Sequence, residues 1–158
     1  MGIVSVRASI IEHYCNVTLV VDVMLVSGLS FLVTLLRGLT FVTVQYVPRR
    51  TAGELCNSLK EVIRVYSRAG LQPRLALMDG EFDKLIPLLS HIIEVNTTAK
   101  NEHVPEIKQK IRHIKDRARA IKAATSFTIL PNAVSKALVI HVVLWMNTWP
   151  AKAGVSDD

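Results

Sequence analysis

The chain has 158 residues, half of them apolar and 20% charged, with a formal net charge of +6. That length supplies one domain and excludes a multidomain machine, and the apolar content excludes intrinsic disorder. Two cysteines, Cys15 and Cys56, exclude a disulfide framework and fit an intracellular protein, while the basic balance makes an acidic partner such as nucleic acid a candidate.

A mean hydropathy of +0.33 requires two stretches to be tested as membrane spans. Residues 17–36 contain Asp22 and a break at Ser27-Gly28, and their β-branched residues suit two buried strands joined by a tight turn. Residues 133–149 number only 17 and carry Lys136, His141 and Asn147. An ionised Asp at the centre of a lipid-facing helix costs at least ~2.5 kcal/mol, so no membrane association is expected. Residues 1–11, interrupted by Ser5, Arg7 and Ser9, are not expected to act as a signal peptide. Residues 1–16 are read as an N-terminal extension and residues 17–156 as one domain.

In chain order, Thr18–Val26, Leu29–Leu36 and Leu39–Val47 are apolar β-branched runs separated by Ser27-Gly28 and Arg37-Gly38, which predicts a three-stranded meander. Thr51 and Glu54 have capping-box spacing, and Leu55, Leu59, Val62, Ile63 and Tyr66 then recur at helical intervals until Gly70. Arg74–Met78 reads as a buried parallel strand that stops at Asp79-Gly80. A helical stretch at Phe82–Leu89 and a short strand at Ile92–Val95 follow. Pro105 opens a long helix with Ile107, Ile111, Ile114, Ala118 and Ile121 along one face. The last helix, Asn132–Trp145, is apolar nearly all round, so it should be buried in its own fold or in a partner. The pattern predicts an α/β domain with a mixed five-stranded sheet, an antiparallel meander followed by parallel strands, flanked by helices. It is similar to the way ribonuclease H-like domains begin.

Three acids occupy unusual places. Asp22 interrupts an unbroken apolar strand, where an ionised carboxylate costs several kcal/mol unless cations or hydrogen bonds compensate it. Asp79 ends a buried strand, at the edge where open α/β sheets place ligands. Glu106 lies in the first turn of the basic helix, where the helix dipole favours an acid. Plainer readings stand beside these: Asp79-Gly80 is an ordinary turn signal, and Glu106 is an ordinary helix-start acid. Convergent carboxylates would suit two hard divalent ions, Mg²⁺ or Mn²⁺, about 3.5–4 Å apart, the arrangement that drives phosphodiester chemistry.

The segments Thr18-Leu19-Val20-Val21-Asp22-Val23-Met24, Phe31-Leu32-Val33-Thr34, Thr40-Phe41, Leu75-Ala76-Leu77-Met78-Asp79-Gly80-Glu81-Phe82, His103-Val104-Pro105-Glu106 and Trp145-Met146-Asn147-Thr148-Trp149-Pro150 occur in that order. The series resembles the integrase catalytic core of copia-type retrotransposons, in a truncated or divergent copy. The resemblance implies metal-dependent DNA nicking and strand transfer for DNA integration. It implies Asp22, Asp79 and Glu106 as catalytic residues and metal ligands, DNA as partner, homo-oligomerisation, and nuclear localisation if the enzyme is active. Three departures stand out. Only 26 residues separate Asp79 from Glu106, fewer than such integrases have. Leu35-Leu36-Arg37 replaces the family's Asp-Asp-x-x-Arg segment. His13 and Cys15 are too few for an N-terminal zinc module. A catalytically inactive DNA-binding or dimerising remnant of the same fold is the alternative.

Residues 100–122 hold eight basic and three acidic residues, which is +5 of the chain's +6. Helical spacing sets Lys110, His113 and Arg117 on the same side as Glu106, which makes them the candidate DNA contacts; the plainer reading is a solvated basic face. Lys108, Lys115, Arg119 and Lys122, spread round the rest of the helix, would add salt-dependent affinity without base specificity.

Overall fold

The computed structural model describes residues 8–98 and 105–149. Of the residues singled out above, Lys100, Glu102, His103, Val104 and Pro150 lie outside the described residues, as do both ends of the chain.

The elements in order are α1 (Ala8–Tyr14), β1 (Asn16–Val26), β2 (Leu29–Leu36), β3 (Phe41–Val47), α2 (Ala52–Arg68), β4 (Gln72–Asp79), a 3-10 turn (Gly80–Leu85), α3 (Ile86–Leu89), β5 (Glu94–Thr98), α4 (Pro105–Ala123) and α5 (Asn132–Thr148). The five strands form one sheet in the order β3-β2-β1-β4-β5. β1, β2 and β3 pair antiparallel, whereas β4 pairs parallel with β1 and β5 parallel with β4. This is the mixed sheet expected from the sequence.

Local chemistry explains the meander. β1 and β2 meet through a two-residue loop, with Val26 opposite Leu29, and both loop residues have positive φ, Ser27 at 52° and Gly28 at 78°. That backbone follows the right-handed twist of the flanking strands, as a type I′ turn does. The third strand starts two residues later than expected because Leu39 and Thr40 complete a second turn, with Gly38 at φ 95° and Thr40 at φ 50°. The residues 17–36 tested as a membrane span are thus two strands of a buried hairpin. No helix among the described residues is long and apolar enough to cross a membrane.

Side chains alternate across the sheet and divide the core in two. On one face Leu19, Val21, Leu32, Leu36, Ala76 and Met78 pack against Cys56, Leu59, Ile63 and Tyr66 of α2 and Phe82 of the 3-10 turn. On the other, Val20, Met24, Phe31, Val33 and Leu35 pack against Ile107, Ile111, Ile114 and Ala118 of α4 and Val139, Val142 and Val143 of α5. Helix α2 begins where the capping box predicts: the Thr51 side chain accepts the Glu54 N–H at 3.3 Å. The strand expected at 92–95 lies at 94–98, where the polar Asn96 and Thr97 pair their backbones with Leu77 and Met78.

Helix α5 is buried in the fold on one side only. Its buried residues are Ser135, Val139, Val142 and Val143, whereas Val134, Ile140, Leu144 and Trp145 on its outer side are exposed. Asn147 ties the end of α5 to the outermost strand: its Oδ1 accepts the Val42 N–H at 3.0 Å and its Nδ2 donates to the Val42 carbonyl at 2.7 Å.

Candidate active site

Strand β1 lies between β2 and β4, so the chain builds the sheet outward in one direction through β2 and β3 and in the other through β4 and β5. Ligands of open α/β sheets bind in the crevice at such a point, beyond the carboxyl ends of the parallel strands. The parallel register between β1 and β4 ends at Val20↔Leu77 and Val21↔Met78. Asp22 and Asp79 are the next residue on each strand. Alternation sets both on the face that carries α4, because Val20 and Leu77, two residues back, belong to the core on that face. Two acids 57 residues apart in sequence therefore stand side by side at the switch point.

Each aspartate is held by its own backbone. Asp22 Oδ1 accepts the Val23 N–H at 2.7 Å, and Asp79 Oδ1 accepts the Gly80 N–H at 2.6 Å. Asp79 also caps the 3-10 turn that carries the chain out of the sheet, so the plainer turn reading and the site reading describe the same residue. A carboxylate bonded in this way keeps acceptor capacity on its second oxygen. Burial pushes the Asp22 carboxyl above its ordinary value, opposed by the Val23 N–H and by the charge of Lys108, and reinforced by the nearby Glu81 and Asp79 carboxylates. Desolvated, mutually repelling carboxylates are the environment that a hard divalent cation relieves.

Glu106 is elsewhere. The Arg37 guanidinium grips its carboxylate with two bonds, Nε to Oε2 at 3.1 Å and Nη2 to Oε1 at 3.2 Å. Arg37 follows β2, and its backbone N–H donates to the Thr18 carbonyl, four residues before Asp22 on β1. Among the described residues no group of three or more His, Cys, Asp or Glu side chains is placed to hold a metal ion. The residues fit a cation at Asp22 and Asp79; the third sequence-predicted ligand, Glu106, is not brought to them.

The basic helix is also arranged differently from expectation. Glu106, Lys110, His113 and Arg117 share one flank, but that flank turns toward Arg37 at one end and toward α5 at the other. There Arg117 lines a hollow with Ile121, His141, Val142 and Trp145. Lys108 stands about 200° round the helix from both Glu106 and Lys110, and its charge reaches Asp22. Lys115, Arg119 and Lys122 continue from Lys108 and line a groove with Leu25, Val26 and Ser27 at the end of β1. Lys108 is thus the α4 cation beside Asp22, and the second row continues from it toward the end of β1. Helical periodicity shows which residues share a side; only the packing of Ile107, Ile111 and Ile114 on the sheet shows which side faces Asp22.

No protein-family model and no curated protein sequence matches the chain. Solved structures do match. The catalytic core domain of BIV integrase superposes with a TM-score of 0.60 and 16% identity over 88% of this chain and 89% of that one. The HTLV-2 integrase catalytic core domain, in a trimeric form in complex with magnesium, superposes with a TM-score of 0.58 and 16% identity over 84% and 85%. A likeness at that identity concerns the fold, and with the strand order and pairing above it settles the architecture. The chain has the ribonuclease H-like fold of the retroviral integrase catalytic cores it superposes on.

Proposed function

We propose that the chain is an integrase core of the copia retrotransposon type, built for divalent-metal-dependent nicking and strand transfer on DNA. The observation that carries this reading is the placement of Asp22 and Asp79 on adjacent parallel strands at the switch point, both on the α4 face. In this reading Asp22 and Asp79 hold Mg²⁺ or Mn²⁺, with Glu106 as the third ligand. Such ions, when bound, activate a water or hydroxyl and steady the leaving oxygen. Lys108, Lys115, Arg119 and Lys122 guide the phosphate backbone past the aspartates, and Lys110, His113 and Arg117 contact DNA further from the chemistry. The exposed Val134, Ile140, Leu144 and Trp145 of α5 support self-association, and an active enzyme would work in the nucleus.

The experiment is a nicking and strand-transfer assay on duplex DNA with Mn²⁺. Wild-type protein should give product, and Asp22→Asn and Asp79→Asn should each reduce it on the order of 10²–10⁴-fold. Wild-type product no greater than that of Asp22→Asn would remove the enzymatic reading.

One observation favours a second reading, a catalytically inactive DNA-binding or dimerising remnant of the same fold: the carboxylate of Glu106 is held by Arg37. A remnant would bind DNA with a steep salt dependence and unchanged affinity when Glu106 becomes Gln. An integrase would lose metal affinity with the same substitution.

A further inference from the structure

We infer that Arg37 is a positioning residue that withholds Glu106 from the Asp22–Asp79 pair. The inference rests on the reading of those three carboxylates as one metal site.

The contact is a fork on a fork. Two guanidinium nitrogens meet the two carboxylate oxygens of Glu106 at 3.1 and 3.2 Å, the bidentate geometry in which Arg fixes the direction of a carboxylate and not merely its charge. Arg37 itself is anchored by its backbone N–H on the Thr18 carbonyl, just before the turn at Gly38. Thr18 lies four residues before Asp22, about 13 Å along the strand at 3.3 Å per residue. The guanidinium therefore draws Glu106 toward the N-terminal half of β1, away from the aspartates. Ile107, next to Glu106, is seated in the core, while Glu106 occupies the first turn behind Pro105, where backbone N–H groups have no partner within the helix. A change of the Glu106 side-chain rotamer there breaks no helical hydrogen bond.

The pair is also weak enough to open. Its two side chains are 46% and 47% exposed, and ion pairs in that setting shift an equilibrium by no more than roughly fivefold. Held in this way, the site offers a metal ion two aspartates; released, it offers Glu106 as well.

The test is isothermal titration of the full chain with Mn²⁺ alone, for the wild type, Arg37→Ala, Arg37→Lys, Glu106→Gln, the Arg37→Ala/Glu106→Gln double variant and Asp22→Asn. Arg37→Ala should tighten Mn²⁺ binding roughly fivefold. Arg37→Lys, which keeps the charge but loses the fork, should tighten it in the same direction. In the Glu106→Gln background, Arg37→Ala should have no effect. Equal tightening in both backgrounds would mean that Arg37 acts only as a nearby positive charge, and would overturn the proposal. Unchanged affinity in Arg37→Ala would overturn it too, while leaving the metal-site reading intact provided Asp22→Asn still abolishes binding. Mn²⁺ binding that survives Asp22→Asn, or no Mn²⁺ binding by any variant, would remove the metal-site reading and the inference with it.

Discussion

Replacing Asn147 with Ala should destabilise the domain through one clasp. β3 is the outermost strand of the sheet on its side, and Val42, 1% exposed, pairs with Leu35 across β2. The backbone N–H and carbonyl of Val42 are taken by Asn147 from the end of α5, at 3.0 and 2.7 Å. Truncation to Ala removes both partners and leaves a donor and an acceptor in a half-buried edge. At a net 0.5–1.5 kcal/mol per hydrogen bond, the loss comes to about 2 kcal/mol. For a domain of this size it lowers Tm by roughly 4–8 °C. Calorimetry measures the shift, and hydrogen exchange at the Val42 amide reads the clasp itself, which should open faster by about the same free energy. Asn147→Asp, which keeps the acceptor and loses the donor, should fall between the two. A Tm change under about 1 °C with unchanged protection at Val42 would show that Asn147 does not clasp β3.

Asp22→Asn should raise Tm at neutral pH. Burial holds the carboxyl of Asp22 above its ordinary 3.8, so the folded chain binds that proton more tightly than the unfolded chain, and the ionised group costs stability at pH 7. The cost fades as pH falls through the raised folded value toward the ordinary one. The Asn variant's gain should therefore shrink on acidification and close below about pH 4, in melts across that range; a gain that grows toward acid would contradict the assignment. Phe31→Ala, at a side chain with 0% exposure that meets the Tyr46 ring edge-on at 5.9 Å, should cost about 3–5 kcal/mol in urea unfolding. A loss under about 1.5 kcal/mol would show that β2 does not pack against α4 and α5 as described.

Much of the fold was legible in the sequence because local and global preferences agree in it. The runs ending at Val26 and Leu36 carry their turn chemistry in Ser27-Gly28, and Thr51 and Glu54 mark the start of α2 from four residues alone. β5 slipped by two residues because its apolar part, Ile92 and Ile93, closes the turn after α3, while the paired residues Asn96 and Thr97 look like loop. Helix α5 reads as uniformly apolar, and nothing local tells its core side from the side that Leu144 and Trp145 leave exposed. Asp22 and Asp79 each stood out as an acid in, or at the end of, a buried strand, but their adjacency is set by the parallel pairing of β1 with β4. The Arg37–Glu106 pair was not legible. Its partners lie 69 residues apart, on a turn and on a helix, and only the packing of α4 on the sheet brings them together. Lys108 shows the same limit: its place in the helical period was plain, but not the direction in which that side of the helix faces.

The proposed chemistry depends on Asp22 and Asp79 forming a divalent cation site. A crystal of the chain soaked in Mn²⁺ and measured at the manganese edge tests it most directly. An anomalous peak is expected on the α4 face of the sheet, with carboxylate oxygens of both aspartates about 2.0–2.3 Å away, absent from Asp22→Asn crystals. A peak elsewhere on the surface, or none at saturating Mn²⁺, would contradict it.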